Sequence, residues 1–296
     1  MEKRSRLLLA TFFSLVVLGL AGIALVVETF TAVPDFTELR RKVKVPIDLP
    51  GDKKGEMWVG PQASGWVPLT QISQGVIAAV VSSEDTSFFS HEGVDYHELR
   101  EAIKKDLEER RFARGASTIT QQVVKNVYLG REKTLWRKFK EFFWAQKMDA
   151  VLTKSEILGF YLNLVEWGPG IYGIGKASWH YFQKPPSELS AKHGAFLAML
   201  LPSPKKYHSY FDKKKLTPWA EARVEKVLRV MVKMKFIEED AYNDALSEPL
   251  WEVSDPEDSA PAIAEDSSPK EPEPVAPPES IAPAEIAPEP LAQPEP

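Results

Sequence analysis

The stretch "TQISQGVIAAVVSSEDTSFFSHEGVD", residues 70–95, joins an apolar run to a cluster of charged and aromatic side chains. Its first part predicts a helix of about four turns. Glu84 and Asp85 stand at the C-terminal end of that helix, where the helix dipole does not favour acids. The pair is either a solvated helix end or a carboxylate site. In the second case apolar neighbours such as Phe88 and Phe89 raise a pKa, which suits a general acid or base.

Helical periodicity continues on the C-terminal side of this stretch, as far as about Leu250. In the segment 95–111, Leu99, Ile103 and Leu107 recur at a spacing of four. No alternation with a period of two is sustained, so we predict a mainly α fold. Further helices are predicted for residues 117–129, 134–152, 154–167, 188–201 and 218–234.

The N-terminus carries a membrane signal. Residues 1–6 include three basic side chains, and residues 7–27 are 21 uncharged, mostly apolar residues followed by an acid. A helix of about 20 residues spans a bilayer, whereas the apolar region of a secretory signal has about 7–15. We therefore favour a retained transmembrane anchor, with cleavage near Ala21 as the alternative. The positive-inside rule predicts a cytoplasmic N-terminus and a body outside the cytoplasm.

Two other segments differ in composition from the helical body at 66–250. Residues 28–65 mix prolines, glycines and charges, and we interpret them as a juxtamembrane spacer, mostly loop with short strands. Residues 251–296 hold 12 of the 24 prolines. This tail is rich in Pro, Ala and Glu and predicts a disordered segment, because it cannot bury enough apolar surface to fold.

Charge divides the chain in the same way. The tail carries 12 acids and one lysine, a net charge of −11, while the whole chain carries −5. The first 250 residues therefore carry +6, which favours an anionic partner: nucleic acid, anionic lipid or phosphate. The chain has no cysteine, and this excludes disulfides, thiolate catalysis and zinc–thiolate sites.

Two further stretches carry chemistry, "RGASTITQQVVKN" at 114–126 and "KTLWRKFKE" at 133–141. In the first, Ser117 or Thr118 can cap a helix, with Gln121 in the capping-box position. A helix N-terminus near a lysine is also an anion site. The polar side chains on this helix that favour such a site are Gln121, Gln122, Lys125 and Asn126.

In the second stretch, Arg137 and Glu141 are four residues apart. An exposed pair of this kind is worth only about 0.3–0.5 kcal/mol. The alternative interpretation is a cleft in which cations beside a carboxylate neutralise a diphosphate. The cations of this strip are Lys133, Arg137, Lys138 and Lys140.

Together these stretches resemble glycosyltransferase family 51, the peptidoglycan polymerases, and most of all its monofunctional biosynthetic peptidoglycan transglycosylases. The family motif E-D-x-x-F-x-x-H-x-G matches residues 84–93, and G-[GA]-S-T-[IL]-[TS]-Q-Q with a following K-N matches 115–126. The motif R-K-x-x-E matches 137–141, and a fourth block with K-x-x-I-L and Y-L-N matches 154–163. The resemblance runs from about residue 66 to 207.

The resemblance implies a lysozyme-like helical domain that polymerises lipid II into β-1,4-linked glycan, with inversion and release of undecaprenyl diphosphate. Glu84 is then the general base. Glu141, the second catalytic glutamate, orders the cations or holds a metal. A divalent cation, magnesium or manganese, is expected at the diphosphate, and no organic cofactor. The implied substrate-binding residues are Asp85, Ser117, Gln121, Gln122, Lys125, Asn126, Lys133, Arg137 and Lys138.

The sequence departs from the family pattern at several positions, and these departures affect chiefly the expected outer contacts with phosphate. Lys133 stands where arginine is usual, Glu101 where a basic residue is common, and Gly159 where glutamate is frequent. The motif S-x-x-K occurs at 203–206 and 267–270, but without S-x-N or K-T-G. We therefore expect no transpeptidase activity.

The expected location is the inner cell membrane, crossed once, with the catalytic domain periplasmic. The expected partners are lipid II, the growing glycan strand and membrane lipid, with no nucleic acid. Cell-wall synthesis proteins are expected to bind through the tail. Two other functions remain open at this point: a lysozyme-like enzyme that cleaves glycan, and an inactive cell-wall scaffold.

Overall fold

The computed structural model of the chain describes residues 2–109, 117–130, 132 and 134–251. The helices of the first half are α1 (Glu2–Thr31), α2 (Gln74–Glu84), α3 (Tyr96–Glu109), α4 (Ile119–Tyr128), α5 (Leu135–Val151) and α6 (Lys154–Leu164). Those of the second half are α7 (Ile174–Phe182), α8 (Ala191–Leu200), α9 (Pro204–Tyr207), α10 (Ser209–Asp212), α11 (Pro218–Lys233) and α12 (Glu239–Ser247). Two antiparallel hairpins join them: β1 (Val43–Leu49) with β2 (Lys53–Val59), and β3 (Glu166–Gly168) with β4 (Ile171–Tyr172). The prediction of a mainly α fold is confirmed.

The core of the body forms where α2 packs against α8 and α11. Most side chains from Val76 to Val81 are fully buried, and so are those around Phe196 on α8. The two helices come very close, because a Cβ at Gly194 would lie 2.6 Å from the Gly75 carbonyl oxygen. A larger residue at position 194 would push these helices apart. This packing holds the C-terminal end of α2, with Glu84, in a fixed place.

A second layer is formed by α4, α5 and α6, which pack against one another. Three helices of the body start with a capping box, in which the capping residue is Thr118 before α4, Thr153 before α6 and Ser190 before α8. In each, the third helical residue bonds back to the cap, and on α8 that residue is His193. These caps fix where the polar ends of α4 and α6 begin.

Residues 28–65 have more regular structure than the spacer that the sequence predicts. Helix α1 continues to Thr31, a short 3₁₀ helix spans Phe36–Arg40, and β1 and β2 form a hairpin. Phe36, Val45 and Val59 belong to the buried core. This hairpin is hard to predict from the sequence, because apolar and polar residues alternate only over 43–47 and this stretch contains a proline. The domain thus includes residues ahead of the predicted boundary at 66.

Helix α1 contains the whole apolar run at 7–27 and is the one helix in the described part of the chain that is long and apolar enough to cross a membrane. Its last turn packs against α5. The Trp144 indole N–H donates to the Thr29 carbonyl oxygen at 3.0 Å, and Lys140 pairs with Glu28 at 2.5 Å. The rings of Phe30 and Phe143 are 4.2 Å apart. The apolar helix is therefore joined directly to α5, the helix that carries Arg137, Lys138 and Glu141.

The helices predicted from periodicity all occur, with shorter bounds. Helices α7, α9, α10 and α12 and the β3–β4 hairpin were not predicted, and for residues 28–65 only short strands were, without their pairing. The prediction of a disordered tail lies outside the described residues, except for Trp251, which contacts Phe196 and Phe211.

Candidate active site

Glu84 is the last residue of α2, and its carboxylate is mostly buried. The amide Nε2 of Gln122 donates a hydrogen bond to its Oε2 at 2.8 Å. Burial raises the pKa of Glu84, while the hydrogen bond from Gln122 and the charge of Lys125 act in the opposite direction. The net direction is upward, as the apolar run before Glu84 predicts. A carboxylate in this state is a stronger base than a solvated one.

Gln122 is oriented from the other side by Tyr161. The Tyr161 hydroxyl lies 3.4 Å from Gln122 Oε1, which turns the amide nitrogen toward Glu84. Tyr161 is fully buried on α6. A chain of polar groups therefore runs from α6 through α4 to the carboxylate at the end of α2. It fixes the position of that carboxylate.

Asp85 follows Glu84 and is bonded on both sides by groups inside the protein, while its contact with substrate stays a prediction. Its side chain is buried, and His91 Nε2 lies 3.0 Å from Oδ1. The backbone N–H of Ile119, at the start of α4, donates to Oδ2 at 2.9 Å. Both oxygens thus have partners inside the protein. Asp85 joins the ends of α2 and α4, and His91 holds Asp85 from the loop that follows α2.

Gln121 has an internal role at the start of α4, and its contact with substrate stays a prediction. It is buried, and its side-chain oxygen accepts from the Thr118 backbone N–H at 3.0 Å. The Thr118 hydroxyl in turn donates to the Gly93 carbonyl oxygen at 2.7 Å. The capping box predicted from the sequence is therefore present, with Thr118 as the cap. It ties the first motif to the second.

The third motif forms a cluster of opposite charges. Glu141 is only 2% exposed, and Arg137 Nη1 donates to its Oε2 at 2.8 Å. The ammonium of Lys138 contacts the other oxygen and also donates to the Ser117 hydroxyl at 2.7 Å. The surface interpretation of the Arg137–Glu141 pair is wrong, since the carboxylate is buried. Glu141 therefore orients two cations, and its carboxylate does not face open solvent.

Lys125 lies on α4 between the two acids. Burial lowers the pKa of Lys125, and the charges of Lys138 and Arg137 lower it further, whereas Glu141 and Glu84 raise it. Among the described residues, no carboxylate forms an ion pair with its ammonium. A partly buried cation held beside two other cations is well placed for an anionic ligand.

These side chains border two depressions. The larger, the main cleft, has a volume of about 820 Å³; the smaller, the Glu84 recess, has about 210 Å³. Gln122 lines the main cleft and bonds to Glu84 in the recess. The predicted residues that line the main cleft are Gln122, Lys125, Asn126 and Arg137. Glu84, Asp85 and Ser117 line the recess. Lys133 lies outside the described residues.

Arg223 is a residue of this site that the sequence analysis missed. It lies on α11, and its charge lowers the pKa of Glu84. It comes near Glu84 because α11 packs against α2, some 140 residues earlier in the chain. No local pattern around position 223 could have indicated that its charge acts on Glu84.

A protein-held metal does not fit the described residues. They contain no group of three or more His, Asp or Glu side chains that could hold a metal ion. Both oxygens of Glu141 bond to cationic side chains, so a divalent ion there would have to displace one of them. The expectation that Glu141 holds a metal is therefore not supported by its donor set.

With this geometry in view, comparison with known proteins gives the family. The sequence model of the transglycosylase family matches residues 53–232, and the chain belongs to this family. It is 42% identical over 145 residues to the biosynthetic peptidoglycan transglycosylase of Nitrosomonas eutropha, covering 49% of this chain and 59% of that protein. It is 45% identical over 139 residues to the protein of the same name in Brucella suis, covering 47% and 62%.

A third relative is much larger. The chain is 36% identical over 200 residues to penicillin-binding protein 2D of Bacillus subtilis, covering 68% of this chain and 28% of that protein. The chain thus spans about three fifths of the length of the two transglycosylases and less than a third of the penicillin-binding protein. The resemblance stated from the motifs is confirmed at the level of the family.

Proposed function

We propose that this chain is a peptidoglycan glycosyltransferase that polymerises lipid II into β-1,4-linked glycan strands. The observation that carries the proposal is the pairing of a buried carboxylate, Glu84, with a cluster of cations at the adjoining cleft. The relatives named as peptidoglycan transglycosylases support the same substrate class.

Glu84 acts as the general base. It takes the proton of the 4-hydroxyl of the acceptor sugar, and that oxygen attacks C1 of the donor sugar. The bond from C1 to the diphosphate oxygen breaks, and its electron pair leaves with the undecaprenyl diphosphate. The configuration at C1 inverts, so no covalent glycosyl-enzyme is needed. The desolvated setting of Glu84 suits this role, because a carboxylate of raised pKa accepts a proton more readily near neutral pH.

The cations stabilise the leaving group. Negative charge grows on the diphosphate as the C1–O bond breaks, and fixed cations stabilise that charge without reorganising. Lys125 and Arg137 line the cleft, while Lys138 is held by Glu141 and Ser117. Glu141 is a positioning residue in this scheme. A divalent cation, magnesium or manganese, would be held chiefly by the diphosphate oxygens.

The apolar helix α1 supports a location of this chemistry at a membrane. A lipid-linked substrate is confined to the bilayer, and an enzyme confined beside it meets that substrate at a higher effective concentration. The three basic residues before the apolar run at 7–27 favour a cytoplasmic N-terminus and a periplasmic domain, with α1 crossing the inner membrane once. We expect no transpeptidase activity from these 296 residues, because they lack a set of S-x-x-K, S-x-N and K-T-G motifs.

The test separates synthesis from cleavage. Purified full chain in detergent is incubated with labelled lipid II, and we expect polymer that lysozyme degrades. A glycan-cleaving enzyme would instead shorten preformed strands and leave lipid II intact. An inactive scaffold would do neither, and either of those results would overturn the proposal.

A further inference from the structure

A second cleft borders the β1–β2 hairpin, and nothing in the proposed chemistry uses it. We call it the tryptophan groove. It has a volume of about 840 Å³ and is bounded by the end of β2, the loop 60–67 and the start of α7. Its chemically distinctive lining residues are Trp58, Trp66, Trp179, Gln62, Lys42 and Lys176.

Two of its tryptophans present their rings to solvent. Trp58 and Trp179 are each 52% exposed, although the groove that holds them is concave. Trp66 forms part of the floor and packs against Phe160, with ring centres 5.9 Å apart. Flat aromatic faces in a groove suit the C–H faces of sugar rings, and neighbouring amides and hydroxyls suit sugar hydroxyls.

The wall of the groove is held in place by Asn163 of the fourth motif. Its side chain accepts from the Val67 N–H at 2.8 Å and donates to the Val67 carbonyl at 2.9 Å. Gly173 has a φ of +83°, and a Cβ there would lie 2.9 Å from the Asn163 carbonyl oxygen. The groove is therefore preformed, which reduces the entropy lost on binding.

Charge narrows the kind of ligand. The lining includes Lys42 and Lys176 and no Asp or Glu among the described residues. The Lys42 ammonium lies 5.2 Å from the centre of the Trp58 ring. A neutral sugar would need no such cations. A glycan that carries peptide stems bears carboxylates, and these complement the two lysines.

The groove adjoins the main cleft, and Tyr172 lines both. The Tyr172 hydroxyl is fixed to the hairpin, since it donates to the Asp48 carbonyl and accepts from the Asp48 N–H, both at 3.0 Å. A strand that leaves the main cleft across Tyr172 therefore enters the tryptophan groove.

We infer that the tryptophan groove binds the growing, peptide-bearing glycan strand. This inference rests on the proposed function and deepens it. A strand held here after each addition stays at a high effective concentration near the site, so the enzyme adds many units before release.

The test uses full chain in detergent and a fluorescent octasaccharide of alternating GlcNAc and peptide-bearing MurNAc, in the absence of lipid II. Trp58→Ala and Trp179→Ala should each weaken binding by about 2- to 12-fold, the range expected for one aromatic contact. Trp219→Ala is the matched control, because Trp219 is 49% exposed but lies on α11 and does not line the groove. Its affinity should stay within twofold of the parent chain.

Lys176→Glu provides a second variant that does not alter the core, since Lys176 is exposed. It should weaken binding of the peptide-bearing octasaccharide more than that of the same sugar without peptides. With lipid II, the tryptophan variants should give shorter strands than the parent.

Unchanged octasaccharide affinity in the Trp58→Ala/Trp179→Ala double variant would overturn the inference. Equal competition by free stem peptide would overturn it too, because the site would then recognise peptide alone. The binding assay contains no lipid II, so a failure of the parent chain to polymerise lipid II would remove the proposed function separately. Normal polymerisation with unchanged affinity would refute the groove alone.

Discussion

Replacing Glu141 with glutamine tests whether the third motif is a buried charge cluster. Removing one partner of a buried ion pair costs about 3–5 kcal/mol when the remaining charge stays buried. Here Arg137 is 19% exposed and Lys138 is 46% exposed, so both can regain part of their hydration. Arg137 also keeps its bond to the Glu132 carbonyl at 2.6 Å. We therefore expect Glu141→Gln to lower the free energy of unfolding by about 2–3 kcal/mol.

The assay is thermal unfolding of the full chain in detergent, followed by circular dichroism. A loss of that size corresponds to a fall in melting temperature of about 4–12 °C for a domain of this length. Glu225→Gln is the matched control, because Glu225 has the same spacing to Arg229 but lies at the surface. It should leave the melting temperature unchanged. A change below about 0.5 kcal/mol in Glu141→Gln, the value for an exposed pair, would refute the buried cluster.

Three other predictions concern the site and the tail. The pH profile of kcat/KM should have an acid limb above the usual glutamate range, since the pKa of Glu84 is raised. Gln122→Ala should move that limb to higher pH, because the variant loses a hydrogen bond that lowers this pKa. An acid limb at the same pH in the variant would count against the contact between Gln122 and Glu84. Lys125→Ala and Lys138→Ala should lower turnover by about 10²–10³ and change KM by only a few fold, because the cations act on the transition state. The measurement is steady-state kinetics on lipid II, with melting curves to show that the variants fold. Normal turnover in a folded variant would refute the role of that lysine in stabilising the leaving group. A chain ending at residue 252 should keep its specific activity on lipid II, and a collapse of activity would show that the tail contributes to the site.

Much of this fold follows from apolar periodicity, because long helices with caps and buried faces leave a clear pattern. The β1–β2 hairpin does not, since its strands are short and its turn uses positive φ at Gly51 and Asp52. Two strands that bury only alternate residues such as Val45 and Ile47 give too few repeats to recognise. Their place in the domain depends on tertiary contacts with the helices.

The candidate site was predicted in its composition better than in its geometry. The sequence placed Gln121 and Gln122 on the same predicted helix, but it did not show the direction of either side chain. In the structure Gln121 caps the start of α4, whereas Gln122 faces Glu84. The substrate-binding role of Asp85 was implied by the family resemblance, and the motif could not show that Asp85 bonds to His91 and to the start of α4. The direction of a side chain depends on residues that are distant in sequence.

The proposed mechanism depends most directly on Glu84 as the general base, and the Glu84→Gln variant tests this role. Partial burial makes the pKa of Glu84 higher in the folded chain than in the unfolded chain. As the pH rises, Glu84 therefore loses its proton first in the unfolded chain. The free energy of unfolding falls as the pH passes from the unfolded-state pKa to the folded-state pKa. The variant should therefore melt at or above the parent temperature at pH 7, and the difference should vanish below about pH 4. Its initial rate of lipid II polymerisation should fall by about 10²–10⁴, the contribution of a general base. A folded Glu84→Gln variant that polymerises lipid II within tenfold of the parent rate would contradict the account.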